Sequence, residues 1–309
     1  MKMKRILAGV GVLLCLTSGC GGNEDTVLVN EQTETEDIRQ DTASEEVEST
    51  LNTEELDKEN VIEIPDFYSP EMEREMVVRI YLPPDYAETT ECYPVIYMPD
   101  GQNLFSSSTA SYGKEWCMDE TLDQMYQENR TGGVIVVGVD SDEYTRTEDY
   151  NLYLSGFENG GAGNAAKMAD FFANTLKPYV DENYRTLGDQ ENTAIIGSSY
   201  GAVVSICASI DYPEVYGYIG AFSYCDNQNP ARMNEYLKTN LTQEAFAGRK
   251  IYFFVGANDF ARTSTEGAYE IALENEIESV ILVSDENGDH DENTWSKYVV
   301  DCLEFFGWL

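Results

Sequence analysis

The chain has a single histidine, His290, in 309 residues, so chemistry that needs an imidazole has one place to occur. Positive charge is scarce as well. Nineteen lysines and arginines stand against 57 aspartates and glutamates, for a net charge of −38. That balance excludes a nucleic-acid footprint, which needs a basic surface to neutralise phosphates, and it repels anionic lipid. The seven cysteines, at positions 15, 20, 92, 117, 207, 225 and 302, show neither Cys-x-x-Cys spacing nor a histidine cluster. No zinc site and no disulfide framework is expected from them, and the spacing names no bridging pair among Cys92, Cys117, Cys207, Cys225 and Cys302. No metal and no cofactor is expected. Long apolar runs are lacking too: Ile6 to Leu16 is eleven residues, too short to span a bilayer.

That short run has a different job. Lys2, Lys4 and Arg5 precede it, and it ends in Leu16-Thr17-Ser18-Gly19-Cys20. A positive n-region, an apolar h-region and small residues before a cysteine are the pattern of a bacterial lipoprotein signal, with residues 1–19 removed and Cys20 lipidated. An ordinary secretory signal cut near Gly19 is the competing reading. The lipoprotein reading predicts a protein on the outer face of the cell membrane, touching the membrane only through its anchor. Residues 20–60 read as a tether. Positions 21–60 hold fourteen acidic and two basic side chains and no aromatic residue, too little apolar area to offset the entropy of ordering. Like charges extend such a segment.

From residue 61 to 309 the texture changes to one large domain of alternating strand and helix signals. Strands are expected at Met76–Leu82, Tyr93–Met98, Val134–Val139, Thr193–Ile196, Tyr218–Phe222, Ile251–Val255 and Val280–Val283. Most are short continuous apolar runs, as in strands buried on both faces of a parallel sheet. Between them, Met168, Phe171, Phe172, Leu176 and Tyr179 fall on one helical face, and Trp295, Val299, Leu303 and Phe306 on another. The alternation predicts a doubly wound, mostly parallel α/β sheet with helices on both faces.

Within it lies Gly197-Ser198-Ser199-Tyr200-Gly201, a Gly-x-Ser-x-Gly pattern between the run Thr193–Ile196 and a small-residue helical run. Strand, tight turn, helix is the setting of a nucleophile elbow, and the glycines let the turn close. A serine hydroxyl is a weak nucleophile until a base takes its proton, and His290 is the base available. It follows the run Val280–Val283 through a polar loop, as expected of the last member of a Ser, Asp, His order. Asp259, just past Ile251–Val255, sits at the strand end where open α/β sheets gather functional groups; Asp285 and Asp289 are the alternative acids. An oxyanion hole requires two backbone N–H groups. Tyr200, after the serine, supplies one, and Gln102, in the Pro99–Phe105 loop, the other. Phe105, Tyr112 and Trp116 are placed near the mouth, with core packing the other role open to Trp116.

Tyr93-Pro94-Val95-Ile96-Tyr97-Met98-Pro99-Asp100-Gly101-Gln102-Asn103-Leu104-Phe105 resembles a segment of the putative-esterase family of α/β-hydrolases. That family takes in feruloyl and acetylxylan esterases, enterochelin esterases, S-formylglutathione hydrolases and mycolyltransferases. The similarity continues through Leu176–Val180, Tyr184–Thr186, Ile196–Gly201, Tyr212–Gly217 and Gly288–Trp295. It implies an α/β-hydrolase fold over most of 62–309, with Ser199 as nucleophile, Asp259 as acid, His290 as base, and Gln102 and Tyr200 as oxyanion donors. Tyr200 and Ala202 depart from the Met and Gly usual in the family. The reading that follows is a serine carboxylester hydrolase acting on acylated carbohydrate or similar small esters. An acyltransferase on the same fold and a non-catalytic binding lipoprotein are the alternatives.

Overall fold

A computed structural model describes Lys58, residues 60–156 and residues 161–309. The expected signal peptide, Cys20 and nearly all of the expected tether lie outside the described residues. The described residues belong to one compact unit.

Ten strands are described: β1 (Val61–Ser69), β2 (Arg74–Tyr81), β3 (Val95–Pro99), β4 (Ile135–Val139), β5 (Tyr153–Leu154), β6 (Gly161–Ala162), β7 (Thr193–Ser198), β8 (Tyr218–Phe222), β9 (Lys250–Gly256) and β10 (Val280–Asp285). Eight of them make one sheet in the order β1-β2-β4-β3-β7-β8-β9-β10, while β5 and β6 form a separate ribbon. From β4 to β10 every neighbouring pair is parallel, and β1 and β2 pair antiparallel at one edge. All five residues of β3 and of β4, and all six of β7, are buried. This accounts for their continuous apolar runs, because both faces are covered.

Alternate residues serve the two faces. Val95 and Tyr97 join a core that includes Met168, Phe171, Phe172, Leu176 and the 200–211 helix. Ile96 and Met98 join a second core with Trp116, Leu122, Trp295 and Phe306. Each large aliphatic side chain so covered stabilises by roughly 1.5–3 kcal/mol.

Seven expected strands are present within a few residues of their predicted bounds. β1 was not anticipated. It is an edge strand with exposed positions, and its register slips between Ile64 and Phe67, opposite Val78 and Met76. Pro65 falls in that bulge, where its missing N–H costs no ladder bond. The expected 168–179 stripe is buried as predicted at Met168, Phe171, Phe172 and Leu176. Its helix runs Ala165–Asp170, widens to a π turn over Phe171–Leu176, and continues Lys177–Asn183. Pro178 follows the wide turn, which relieves the clash of its ring with the preceding turn.

The chain leaves β3 toward β4 on one side and returns to β7 on the other. The C-terminal ends of β3 and β7 therefore flank a topological switch point, the crevice where such sheets bind ligands.

Candidate active site

Ser199 sits between β7 and the helix Tyr200–Asp211 with φ 55° and ψ −124°. This strained conformation lifts the serine off the strand line, and backbone bonds hold it: Ser199 N–H donates to Phe222 O at 2.9 Å. The turn closes only with glycine at 197, where a Cβ would lie 2.4 Å from the Gly201 carbonyl oxygen. Tyr200 begins the helix, so its N–H is among the unpaired donors at the positive end of the helix dipole.

Asp259 lies in the loop after β9 and is 5% exposed. Its Oδ1 is 2.8 Å from His290 Nδ1 and accepts the Ala261 N–H at 2.7 Å; its Oδ2 accepts the Ser223 hydroxyl at 2.5 Å. Burial alone raises the carboxyl, but hydrogen bonds from His290 and Ser223 outweigh it and hold its pKa below the ordinary aspartate value. A carboxylate only accepts, so Nδ1 carries the proton and Nε2 the free lone pair. Of the three candidate acids, Asp259 is the one paired with the imidazole; Asp285 instead accepts the Asn287 N–H. The two loops meet because Gly256 and Gly288 touch: a Cβ on Gly256 would fall 2.3 Å from the Gly288 carbonyl oxygen.

Ser199, Tyr200 and His290 line one cleft of 720 Å³, with Asp100, Asn103, Arg146 and Glu292 among its other walls. Gln102 lies between Asp100 and Asn103 in the tight turn after β3. Its side chain donates to Ser141 Oγ at 2.9 Å and accepts the Ser141 N–H at 2.9 Å. Asp100, itself at φ 62°, is gripped by both Nε and Nη2 of Arg146 at 2.7 Å and by Ser141 Oγ at 2.7 Å. The Arg146 guanidinium also lies 5.5 Å from the Tyr200 ring centre, so one side chain braces both the turn that carries Gln102 and the start of the helix after Ser199. Tyr200 turns its phenol to Asn227 Oδ1 at 2.6 Å.

The placement of Phe105 at the mouth is corrected, and Trp116 takes the core role left open to it. Phe105 and Trp116 are 1% and 2% exposed and belong to the core, Trp116 packing on Phe222 and Trp295. Tyr112 does line the cleft, 85% exposed. Its counterpart is Phe260, 68% exposed and packed on His290 with ring centres 4.1 Å apart and planes tilted by 32°, which sequence reasoning missed. Arg146, Ser141, Ser223 and Glu292 were missed too. Arg146 had one usable signal, a rare cation just past an apolar strand in an acidic chain.

Among the described residues, Glu115, Cys117 and Glu120 bring potential metal-ligand atoms within 4.8 Å of one another. The Lys58 ammonium already sits 2.5 Å from Glu120 and supplies positive charge there. Cys92, Cys117, Cys207, Cys225 and Cys302 are free thiols.

Known proteins share this architecture. Over 148 residues the chain is 28% identical to the uncharacterized protein YbbA of Bacillus subtilis, a match covering 47% of this chain and 54% of that one. Over 161 residues it is 26% identical to an endo-1,4-beta-xylanase/feruloyl esterase of Xylanibacter ruminicola, covering 51% and 20%. The matches span about half the length of YbbA and a fifth of the xylanase/feruloyl esterase. Among solved structures, a ferulic acid esterase superposes with a TM-score of 0.60 at 16% identity, covering 80% of this chain and 96% of that one. The enterobactin esterase of Shigella flexneri gives 0.62 at 18%, covering 79% and 58%. These likenesses show the α/β-hydrolase fold. A family model described as "Putative esterase" matches residues 69–259, more than half of the chain, and the chain belongs to that esterase family.

Proposed function

We propose that this esterase is an exported, lipid-anchored serine carboxylester hydrolase that acts through an acyl-enzyme on acylated carbohydrate or similar small esters. The observation that carries the reading is the strained Ser199 turn opening onto the same cleft as a histidine whose Nδ1 is held by a buried carboxylate. Ser199 Oγ attacks the ester carbonyl carbon while His290 Nε2 takes its proton. The carbonyl π pair moves to oxygen, where the Tyr200 and Gln102 N–H groups receive the negative charge. Collapse breaks the bond to the alcohol, which leaves with the proton from His290. Water repeats the sequence on the acyl-enzyme and frees the acid. Tyr112 and Phe260 offer exposed ring faces at the cleft, suited to the apolar faces of sugars. The signal-like segment before Cys20 supports export and anchoring.

Purified protein is to be screened against short-chain nitrophenyl esters, acetylated xylan and methyl ferulate beside a Ser199→Ala control. Turnover of at least one ester by the native chain alone supports the reading. Equal turnover by the control, or none by either, rejects it.

A further inference from the structure

Asp259 presents two oxygens, and catalysis as proposed above uses one. Oδ1 faces His290 and is fixed by the Ala261 N–H. Oδ2 points away, to Ser223, whose side chain is fully buried. A hydroxyl has one proton and normally turns to suit its surroundings, but here its direction is dictated. The indole Nε1–H of Trp295, itself 3% exposed, donates to Ser223 Oγ at 2.8 Å. An indole nitrogen only donates and a carboxylate only accepts. The Ser223 proton therefore lies on the Asp259 side, and the chain Trp295 to Ser223 to Asp259 to His290 has a fixed polarity. Trp295 also sets the edge of its ring against His290, with ring centres 5.1 Å apart at 81°. Ser223 occupies φ 49°, held by its N–H on Phe254 O at 2.7 Å, a conformation unusual for a residue with a side chain.

We propose that Ser223, aimed by Trp295, is a positioning residue that draws charge onto Asp259 Oδ2 and so limits how tightly the aspartate holds a proton on His290. The inference rests on the esterase reading of this site. Its consequence is a base that stays free to lower pH. Without the hydroxyl, less of the carboxylate's negative charge is drawn to Oδ2 and more is shared onto Oδ1, the imidazolium is better stabilised, and the histidine pKa rises. Loss of the hydroxyl dipole, whose positive end points at the pair, acts in the same direction. Other ionisable groups stand near the pair, and burial raises the carboxyls of Asp226 and Glu292 among them. Cys225 lies close to Asp259, with Asp226 and Arg146 beyond it, and burial raises its thiol pKa, keeping it neutral. Around His290 stand Asp289, Glu292 and Asp291, the last paired with Lys114 at 2.6 Å.

The single histidine makes the test direct, since one imidazole signal titrates by NMR in the full chain. Ser223→Ala and Ser223→Gly should each raise the His290 pKa by about half a unit, and the acid limb of kcat/KM should move with it. Glycine accepts φ 49° without strain, so Ser223→Gly should lose less thermal stability than Ser223→Ala at the same pKa shift. Trp295→Phe keeps the hydroxyl but frees it to turn, and should shift the pKa the same way by less. An unchanged or lowered His290 pKa in both Ser223 variants overturns the proposal, as does a shift that scales with lost stability. The two readings fail separately. An active native enzyme with a silenced Ser199→Ala variant and an unmoved histidine pKa rejects the role of Ser223 alone. A native chain without esterase turnover rejects the function, while the NMR titration still decides the coupling.

Discussion

An aspartate beside an imidazole matters in proportion to how little water screens it, and Asp259 is nearly sealed from solvent while His290 reaches the cleft. The three side chains of the proposed triad are expected to act as a unit, so their losses should not add. Ser199→Ala and His290→Ala should each lower kcat/KM on a nitrophenyl ester by ~10⁵–10⁶-fold, and Asp259→Asn by ~10⁴-fold. Asp285→Asn should stay within a few fold, because that carboxylate serves its own loop. A larger loss for Asp285→Asn than for Asp259→Asn in steady-state assays would mean the acid is wrongly assigned. The serine and the histidine were readable from the chain because a Gly-x-Ser-x-Gly turn and a lone histidine are rare enough to stand out. Ser223 was not, since nothing local separates it from other serines and its partners stand 36 and 72 residues away. Arg146 has the same difficulty, being 46 residues from Asp100.

At the level of elements, apolar runs identify strands when both faces are buried, which is why β3, β7 and β8 were found from sequence. β1 escaped because its bulge at Pro65 breaks the alternation and its edge position exposes half of it. The π turn at Phe171–Leu176 left no trace in composition, as widening a helix by one residue per turn changes hydrogen bonding and not residue type. What positions the site is the contact of loops at the C-terminal sheet edge, and the Gly256–Gly288 approach brings the acid and histidine loops together. Both atoms in that contact are backbone, so neither can rotate away. Gly256→Ala should destabilise by about 1–3 kcal/mol. It should also lower kcat more than it raises KM, by pushing the histidine loop off Asp259. Denaturant unfolding and steady-state kinetics check this, and a variant with native stability and kcat would show that the loops are not held by this contact.

For the whole molecule, the net charge of −38 acts beyond any single contact. Such a field depletes anions near the cleft, and among the described residues its lining cations, Arg146 and Lys114, are each already paired with an aspartate. Turnover of an anionic ester should rise as salt shortens the Debye length from ~30 Å at 0.01 M to ~8 Å at 0.15 M, while a neutral ester changes little. A faster anionic ester at low salt would contradict this. Anchoring is tested in cells. Cys20→Ser should release the protein from the membrane fraction, and unchanged retention would exclude the lipid anchor. The central claim, that Ser199 is a nucleophile activated by the histidine pair, has a more direct measurement than any rate. A fluorophosphonate reacts with an activated serine and leaves a covalent adduct that mass spectrometry can locate. The account predicts one adduct per chain, on the peptide carrying Ser199, lost in Ser199→Ala and strongly slowed in His290→Ala. No adduct on the native chain, or an adduct on another residue, would contradict it.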